Sequence, residues 1–238
     1  MGYPTNLTFG ISTQPTTNPT GNYPLPDPFH TASNAGLDVV TYANDFFGIG
    51  STTLDWTITG SSSTFACTDG LGGWALVTPG GTTTATAVYQ AHSAFQFVSG
   101  QQFWYVCRIK ASAVSGNKSF YFGLRAGSSA NDGLWFAKAA ASTSLNLVST
   151  VGSTATTLVT GVTTAAADTW IDVAFWYNGT DLLVYLADNL VARVSAPTIG
   201  SSGTTLTDAL LAPVFQITPT ATDTLTIDYV MAAQETSR

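Results

Sequence analysis

The chain has 238 residues, of which only 9% are charged, and a formal net charge of −7. That charge content is far below the ~25% of an average globular protein, so hydroxyls and small side chains must cover the surface. No basic run is present, which argues against nucleic-acid binding by phosphate neutralisation, and no apolar stretch approaches the ~20 residues that span a bilayer.

Residues 1–36 read differently from the rest. Prolines at positions 4, 15, 19, 24, 26 and 28 stand among Thr, Asn and Gly. Such a segment forms neither a helix nor a central strand. It is expected to be an extended arm that orders by docking, through Tyr3, Phe9, Tyr23 and Phe29. The first residues, Met1-Gly-Tyr-Pro-Thr-Asn6, lack a basic n-region, an apolar h-region and the Ser or Thr of a myristoylation signal, so synthesis in a cytoplasm without export is expected.

From residue 37 to 238 one domain is expected, built of strand after strand. The segments that alternate or run apolar are 38–46, 54–59, 64–68, 74–77, 83–88, 94–98, 102–111, 118–126, 133–139, 144–149, 156–160, 169–177, 182–187, 190–194, 213–217 and 224–231. Gly, Asn, Asp, Ser and Pro clusters separate them, the pattern of a β-sandwich or barrel. Residues 208–212 have the composition for a single helical turn before Pro213.

The most explicit local signal is 170–194. Asn178-Gly179 suits the two positive-φ positions of a type I′ hairpin. That turn would set Phe175 opposite Leu182, Val173 opposite Val184 and Ile171 opposite Leu186, an apolar face. The other face would carry Trp170, Asp172, Trp176, Asp181 and Tyr185, with Trp176 opposite Asp181. Cys107 shares a strand face with Phe103, Tyr105 and Ile109. Cys67 and Cys107 are expected as buried thiols, with a disulfide as the alternative.

The order Phe120-Tyr-Phe-Gly-Leu-Arg, Gly133-Leu-Trp-Phe, Leu145-Asn-Leu-Val, Thr169 to Gly179, Leu183-Val-Tyr-Leu, Leu190-Val-Ala, Leu211-Ala-Pro and Leu225-Thr-Ile-Asp-Tyr-Val resembles the concanavalin A-like lectin/glucanase jelly roll. More specifically, it is similar to lectin-like jelly-roll proteins of tailed-bacteriophage structural gene clusters. The resemblance spans about residues 38–232. It implies an all-β, two-sheet antiparallel jelly-roll sandwich whose last strand pairs with its first.

The resemblance also raises glycoside hydrolysis, which needs two carboxyl groups flanking the scissile bond. The chain has thirteen Asp and one Glu, Glu235, and the Glu-x-Asp-x-x-Glu pattern of the glucanases is absent. Asp172 and Asp228 would form a pair only if their strands met on one face. His30 and His92 have no partner at metal-ligand spacing, and no Gly-x-Ser-x-Gly elbow occurs. Asn131-Asp132-Gly133 and Asp188-Asn189 read as turns rather than calcium ligands. No catalytic residue, metal or cofactor is expected.

The resemblance therefore implies a non-enzymatic virion structural protein: a capsid decoration (cement) protein on the outer capsid surface. It would be made in the host cytoplasm and contact the major capsid protein as a homo-oligomer, dimer or trimer. The alternative is a glycan-binding tail, fibre or head-surface module that stacks a host surface glycan on Trp170, Trp176 and Tyr185, with Asp172 and Asp181 beside them. A third reading is a glycoside hydrolase-like domain without a recognisable acid pair.

Overall fold

Alternation of apolar and polar side chains folds most of this chain as strands, because successive side chains of a strand point to opposite faces. The computed structural model describes residues 38–46, 55–68, 73–81, 85–128, 130–219 and 223–236. The expected arm, with Tyr3, Phe9, Tyr23, Phe29 and His30, lies outside the described residues. Among the described residues there are fifteen strands and no helix. They are β1 Asp38–Asn44, β2 Trp56–Ile58, β3 Thr64–Thr68, β4 Trp74–Thr78, β5 Thr86–Gln90, β6 Gln102–Ala111, β7 Ser119–Arg125 and β8 Gly133–Lys138. There follow β9 Ser144–Val151, β10 Thr154–Thr164, β11 Ile171–Asn178, β12 Leu182–Leu186, β13 Asn189–Val194, β14 Ala212–Thr218 and β15 Leu225–Thr236.

The strands make two antiparallel sheets. An eight-stranded sheet runs β13-β12-β11-β6-β15-β4-β3, with β1 also paired to β15. A seven-stranded sheet runs β10-β9-β8-β7-β14-β5-β2. This is the two-sheet jelly-roll sandwich that the resemblance implies. The chain ends meet as expected: β1 pairs with β15 from Asp38 opposite Thr236 to Asn44 opposite Val230.

The core is an aromatic stack between the sheets. Phe175 of β11 lies parallel to Tyr105 at 5.1 Å and to Phe103 at 6.0 Å within its own sheet. It meets Phe136 of β8 across the sandwich at 6.2 Å. Offset and edge contacts of this kind contribute beyond the area they bury.

Three expectations are corrected. Residues 94–98 do not form a strand. Phe95 makes one bridge to Leu211, and Phe95 and Phe97 close one end of the core, both 1% exposed. Residues 208–212 form no helical turn: Leu211 is drawn into that bridge by hydrogen bonds with Phe95, and β14 starts at Ala212. The third is the hairpin. Phe175 faces Val184 and Val173 faces Leu186, two residues along from the expected register. Asn178 is not a central turn residue. Its side-chain oxygen accepts from the backbone N–H of Thr180 at 2.9 Å and of Asp181 at 2.7 Å. Gly179 alone takes positive φ, at 93°. A two-residue loop with Gly first satisfies the strand twist as well as Asn-Gly does. Because the side-chain period is two, a slip of two leaves both faces unchanged.

Candidate functional site

Two outward faces carry side chains capable of recognition. On β6, Phe103, Tyr105, Cys107 and Ile109 fill the core, so Trp104, Val106, Arg108 and Lys110 point outward. The same parity turns Asp172, Ala174 and Trp176 of β11 outward, beside Tyr185 of β12. The middle of this face is apolar: Val106, Ala174 and Tyr185 are buried together, with Trp176, Leu183, Tyr229 and Met231 packed around them.

Cations and indoles interleave at one end of the face. The Lys110 ammonium lies 4.7 Å from the centre of the Trp74 ring and 4.9 Å from that of Trp170. The Arg108 guanidinium lies 5.0 Å from Trp170, and the two indoles meet edge to face at 5.5 Å. Such contacts hold a cation against a ring face.

Of the residues expected here, Trp170, Asp172, Trp176 and Tyr185 do share this face. The Trp176 indole N–H donates to Gln102 at 3.1 Å. Asp172 accepts from the Tyr229 hydroxyl at 2.9 Å. Burial raises its carboxyl above the ordinary range, reinforced by the charges of Asp188 and Asp228 and opposed by the Tyr229 hydrogen bond and Arg108. Asp181 keeps the parity of that face but stands at a different place along it. Leu183, not Asp181, stands opposite Trp176. Asp181 sits at the hairpin end, where it accepts from the Ala196 N–H at 3.0 Å and pairs with Arg193. The Ala196 hydrogen bond, followed by Arg193, holds its carboxyl below the ordinary range.

Asp172 and Asp228 do meet on one face, on strands flanking β6. Asp228 falls at a register shift of β15, between Ile227 and Tyr229. Its carboxylate is bound to Arg108 at 2.9 Å. One acid is thus tied to a guanidinium and the other to a phenol. Glu235 is likewise engaged, accepting from the Gln102 backbone at 2.8 Å and side chain at 2.9 Å.

The outer face of the seven-stranded sheet holds a second cluster, which the sequence reading missed. Tyr121 stacks on Trp135 at 5.1 Å and donates to Gln216 at 2.6 Å. Arg125 donates to the Tyr121 hydroxyl at 2.8 Å, and its guanidinium lies 4.8 Å from the Tyr89 ring centre. The indole of Trp135 lies over Gly133, where an added Cβ would come within 2.4 Å of its ring. The strands of this sheet contain no Asp or Glu at all. The available signal was Tyr121-x-Gly123-x-Arg125, the outward positions of β7, in a segment read only for its fold pattern.

Cys67 and Cys107 are both thiols, joined by no disulfide. Cys107 is buried as expected, and burial pushes its thiol well up. Cys67 is exposed on β3, contrary to expectation: it shares the core-side parity of Phe65 and its thiol donates to the Phe46 carbonyl at 3.2 Å, but β3 is the last strand of its sheet and leaves it at the edge. The turn residues hold protein groups: Asp132 accepts from the Gly152 N–H and the Thr207 hydroxyl, each at 2.9 Å. Ala187 and Asp188 both take positive φ, 44° and 66°, as a tight hairpin requires. Among the described residues no three His, Cys, Asp or Glu side chains gather where they would hold a metal ion.

The sequence matches no protein-family model and no curated protein. The fold is similar to that of solved structures. One is an endo-1,3-β-glucanase from Streptomyces sioyaensis, with a TM-score of 0.61 at 12% identity over 85% of this chain and 98% of that one. Another is a protein of unknown function from Shewanella oneidensis, TM-score 0.61 at 15% identity over 87% and 90% of the two chains. A third is a carbohydrate esterase from the Shiga toxin-encoding bacteriophage phi24B, TM-score 0.53 at 16% identity over 85% and 100%. The fold is therefore the concanavalin A-like jelly roll.

Proposed function

We propose that the protein is a non-enzymatic structural component of a bacteriophage virion, a capsid decoration (cement) protein on the outer capsid surface. The observation that carries this reading is where the acids are. One sheet has no carboxyl group in any strand, and on the other the carboxylates of the central strands β11 and β15, Asp172, Asp228 and Glu235, are each occupied by a protein donor. A glycosidase needs one carboxyl free to protonate the leaving group and a second on the other side of the bond. The jelly roll is shared with a glucanase, but fold alone does not transfer chemistry. The likeness to a phage protein of the same fold is consistent with the phage setting.

What the faces offer instead is area. The partly buried Trp176, Leu183, Tyr229 and Met231, packed around buried Val106, Ala174 and Tyr185, make an apolar outer surface on the eight-stranded sheet, and only 9% of the chain is charged. Such surfaces pack against neighbours with little electrostatic penalty. The partners are copies of the same chain, as a dimer or trimer, and the major capsid protein. A contact of about 1,600 Å² in total would hold each one, and many weak contacts add through multiplicity. The arm of residues 1–36 adds contacts along the shell.

Quantitative gels of purified virions test this. Many copies per particle are expected, with occupancy reduced when residues 1–36 are removed. Absence from the particle, or release of reducing ends that Asp172→Asn abolishes, would overturn it.

A second reading is favoured by the half-buried indoles Trp74 and Trp170 around Lys110: a host surface glycan stacked at that end of the face. It requires Trp170→Ala or Trp176→Ala to lose retention on a glycan array while the fold survives. Unchanged retention in both variants removes it.

A further inference from the structure

Every open sheet invites another strand at its edge, and proteins guard such edges with lysine, proline, bulges or a covering segment. β13 ends the eight-stranded sheet, β10 ends the seven-stranded one, and the two edges lie side by side. β10 is guarded. Its pairing with β9 shifts register twice, and Gly161 interrupts it with a φ of 66°. β13, Asn-Leu-Val-Ala-Arg-Val, holds no lysine and no proline and shifts register once, at Val191. It also carries large apolar side chains into solvent. Among the described residues only Leu190, Val191 and Leu210 are large, apolar and exposed, at 47%, 43% and 56%. Two of these stand together on this one edge. β3, at the far end of the same sheet, has none.

We propose that β13 is a self-pairing edge: in solution it joins β13 of a second copy, antiparallel and about a two-fold axis, so that two eight-stranded sheets run on as one. The charges select this partner and this direction. Asp188 precedes the strand and Arg193 lies near its end. Asp188 is exposed and belongs to no ion pair among the described residues. Arg193 pairs with Asp181, yet its side chain is 59% exposed, and that pair occupies only part of a guanidinium with several N–H donors. Antiparallel pairing of two copies brings the Asp188 end of each strand to the Arg193 end of the other, once on each side of the axis. Parallel pairing would set like charges side by side. Between the charged ends, Leu190 and Val191 of the two copies leave water together. The open N–H and C=O groups of the two edges bond each other at the same time. A two-fold contact is closed, so it makes a dimer and not a fibre. It names a surface for the homo-oligomer of the proposed function but rests on the strand itself, not on a place in the virion.

Sedimentation and light scattering of the full chain over a dilution series test this. A species of twice the chain mass is expected, dissociating to single chains on dilution. Leu190→Lys combined with Val191→Lys puts ammonium groups on the edge. That variant is expected to be monomeric throughout, with the circular dichroism of the folded wild type, because both side chains already face solvent in the single chain. Asp188→Asn keeps a side chain that tolerates the positive φ of 66° at that turn and removes only the charge. It should weaken the dimer about fivefold, through the loss of two exposed ion pairs. A wild-type chain that is monomeric or trimeric overturns the proposal. So does an oligomer that the double lysine variant leaves intact, or a dimer that Asp188→Asn leaves equally tight or tighter. Should the lysine variant fail to fold, hydrogen exchange of the wild type carries the test: amides of residues 189–194 must gain protection as concentration rises, and unchanged rates reject the edge. Virion copy number is read in none of these arms, so this edge and the decoration reading fail separately.

Discussion

Gly133 shows how a single missing side chain shapes a surface. A Cβ there would meet the Leu124 carbonyl oxygen at 2.3 Å and the Trp135 ring at 2.4 Å. The contact with backbone cannot be relieved by a rotamer change, so β7 and β8 would have to separate. Gly133→Ala should cost on the order of 1–3 kcal/mol, as overpacking does, and lower Tm by roughly 2–4 °C per kcal/mol in a chain of this size. A thermal melt indistinguishable from wild type would contradict this close approach. Asp172 makes a different prediction. Its carboxyl is raised by burial, so the folded chain binds that proton more tightly than the unfolded chain does. Stability associated with this group therefore increases as pH falls through the raised value, and the charged form lowers stability above it. Asp172→Asn keeps an acceptor for the Tyr229 hydroxyl and removes the charge. It should melt higher than wild type at pH 7, and the gain should vanish below the ordinary carboxylate range. A gain independent of pH would show that charge burial is not its cause. The outward position of Asp172 was legible from alternation alone. The Arg125 cluster was not, because it takes side chains from β5, β7, β8 and β14, which only the strand order brings together.

Strand identity and strand position were legible to different degrees. Alternation located the strands, and parity assigned their faces, so the hairpin kept its core side even though its turn moved. What alternation does not encode is which residue of Asn178-Gly179-Thr180-Asp181 closes the turn. That depended on whether the Asn178 side chain or its backbone met the loop N–H groups. Residues 94–98 alternate as a strand does, yet they bridge only Leu211, since pairing needs a neighbour along the whole segment. Neighbour order also separates the two thiols. Cys107 lies on β6, flanked by β11 and β15, whereas Cys67 lies on β3, which ends its sheet. Thiolate is the reactive form, and burial suppresses it. A thiol reagent at pH 8 should label Cys67 rapidly in the folded protein and Cys107 only on addition of denaturant. Peptide mapping of the labelled sites checks this, and equal rates for both would mean that β6 is not central.

The pairing of β1 with β15 makes Asp38 the first described residue of the sandwich. β1 begins at Asp38 and covers β15 as far as Thr236, while β4 covers the other end of β15, from Leu225 to Ile227. Both lie on the side of β15 away from β6, so together they cap what would otherwise be a long unpaired edge. Removing residues 1–36 deletes none of that pairing. Removing residues 1–45 deletes all of β1 and leaves β15 with open N–H and C=O groups from Val230 onward. It also removes Tyr42, which packs edge to face on Trp56 at 6.2 Å. Open edges recruit strands from other chains. The shorter truncation should therefore keep the Tm and elution volume of an intact domain, apart from any change in assembly that the arm itself mediates. The longer one should melt several degrees lower, by about 2–4 °C for each kcal/mol lost, and should aggregate on size exclusion. Equal behaviour of the two truncations would mean that β1 is dispensable and that the domain begins after it. A fall in Tm with the shorter truncation would mean that residues before Asp38 belong to the folded domain, and capsid occupancy would then no longer report on the arm alone.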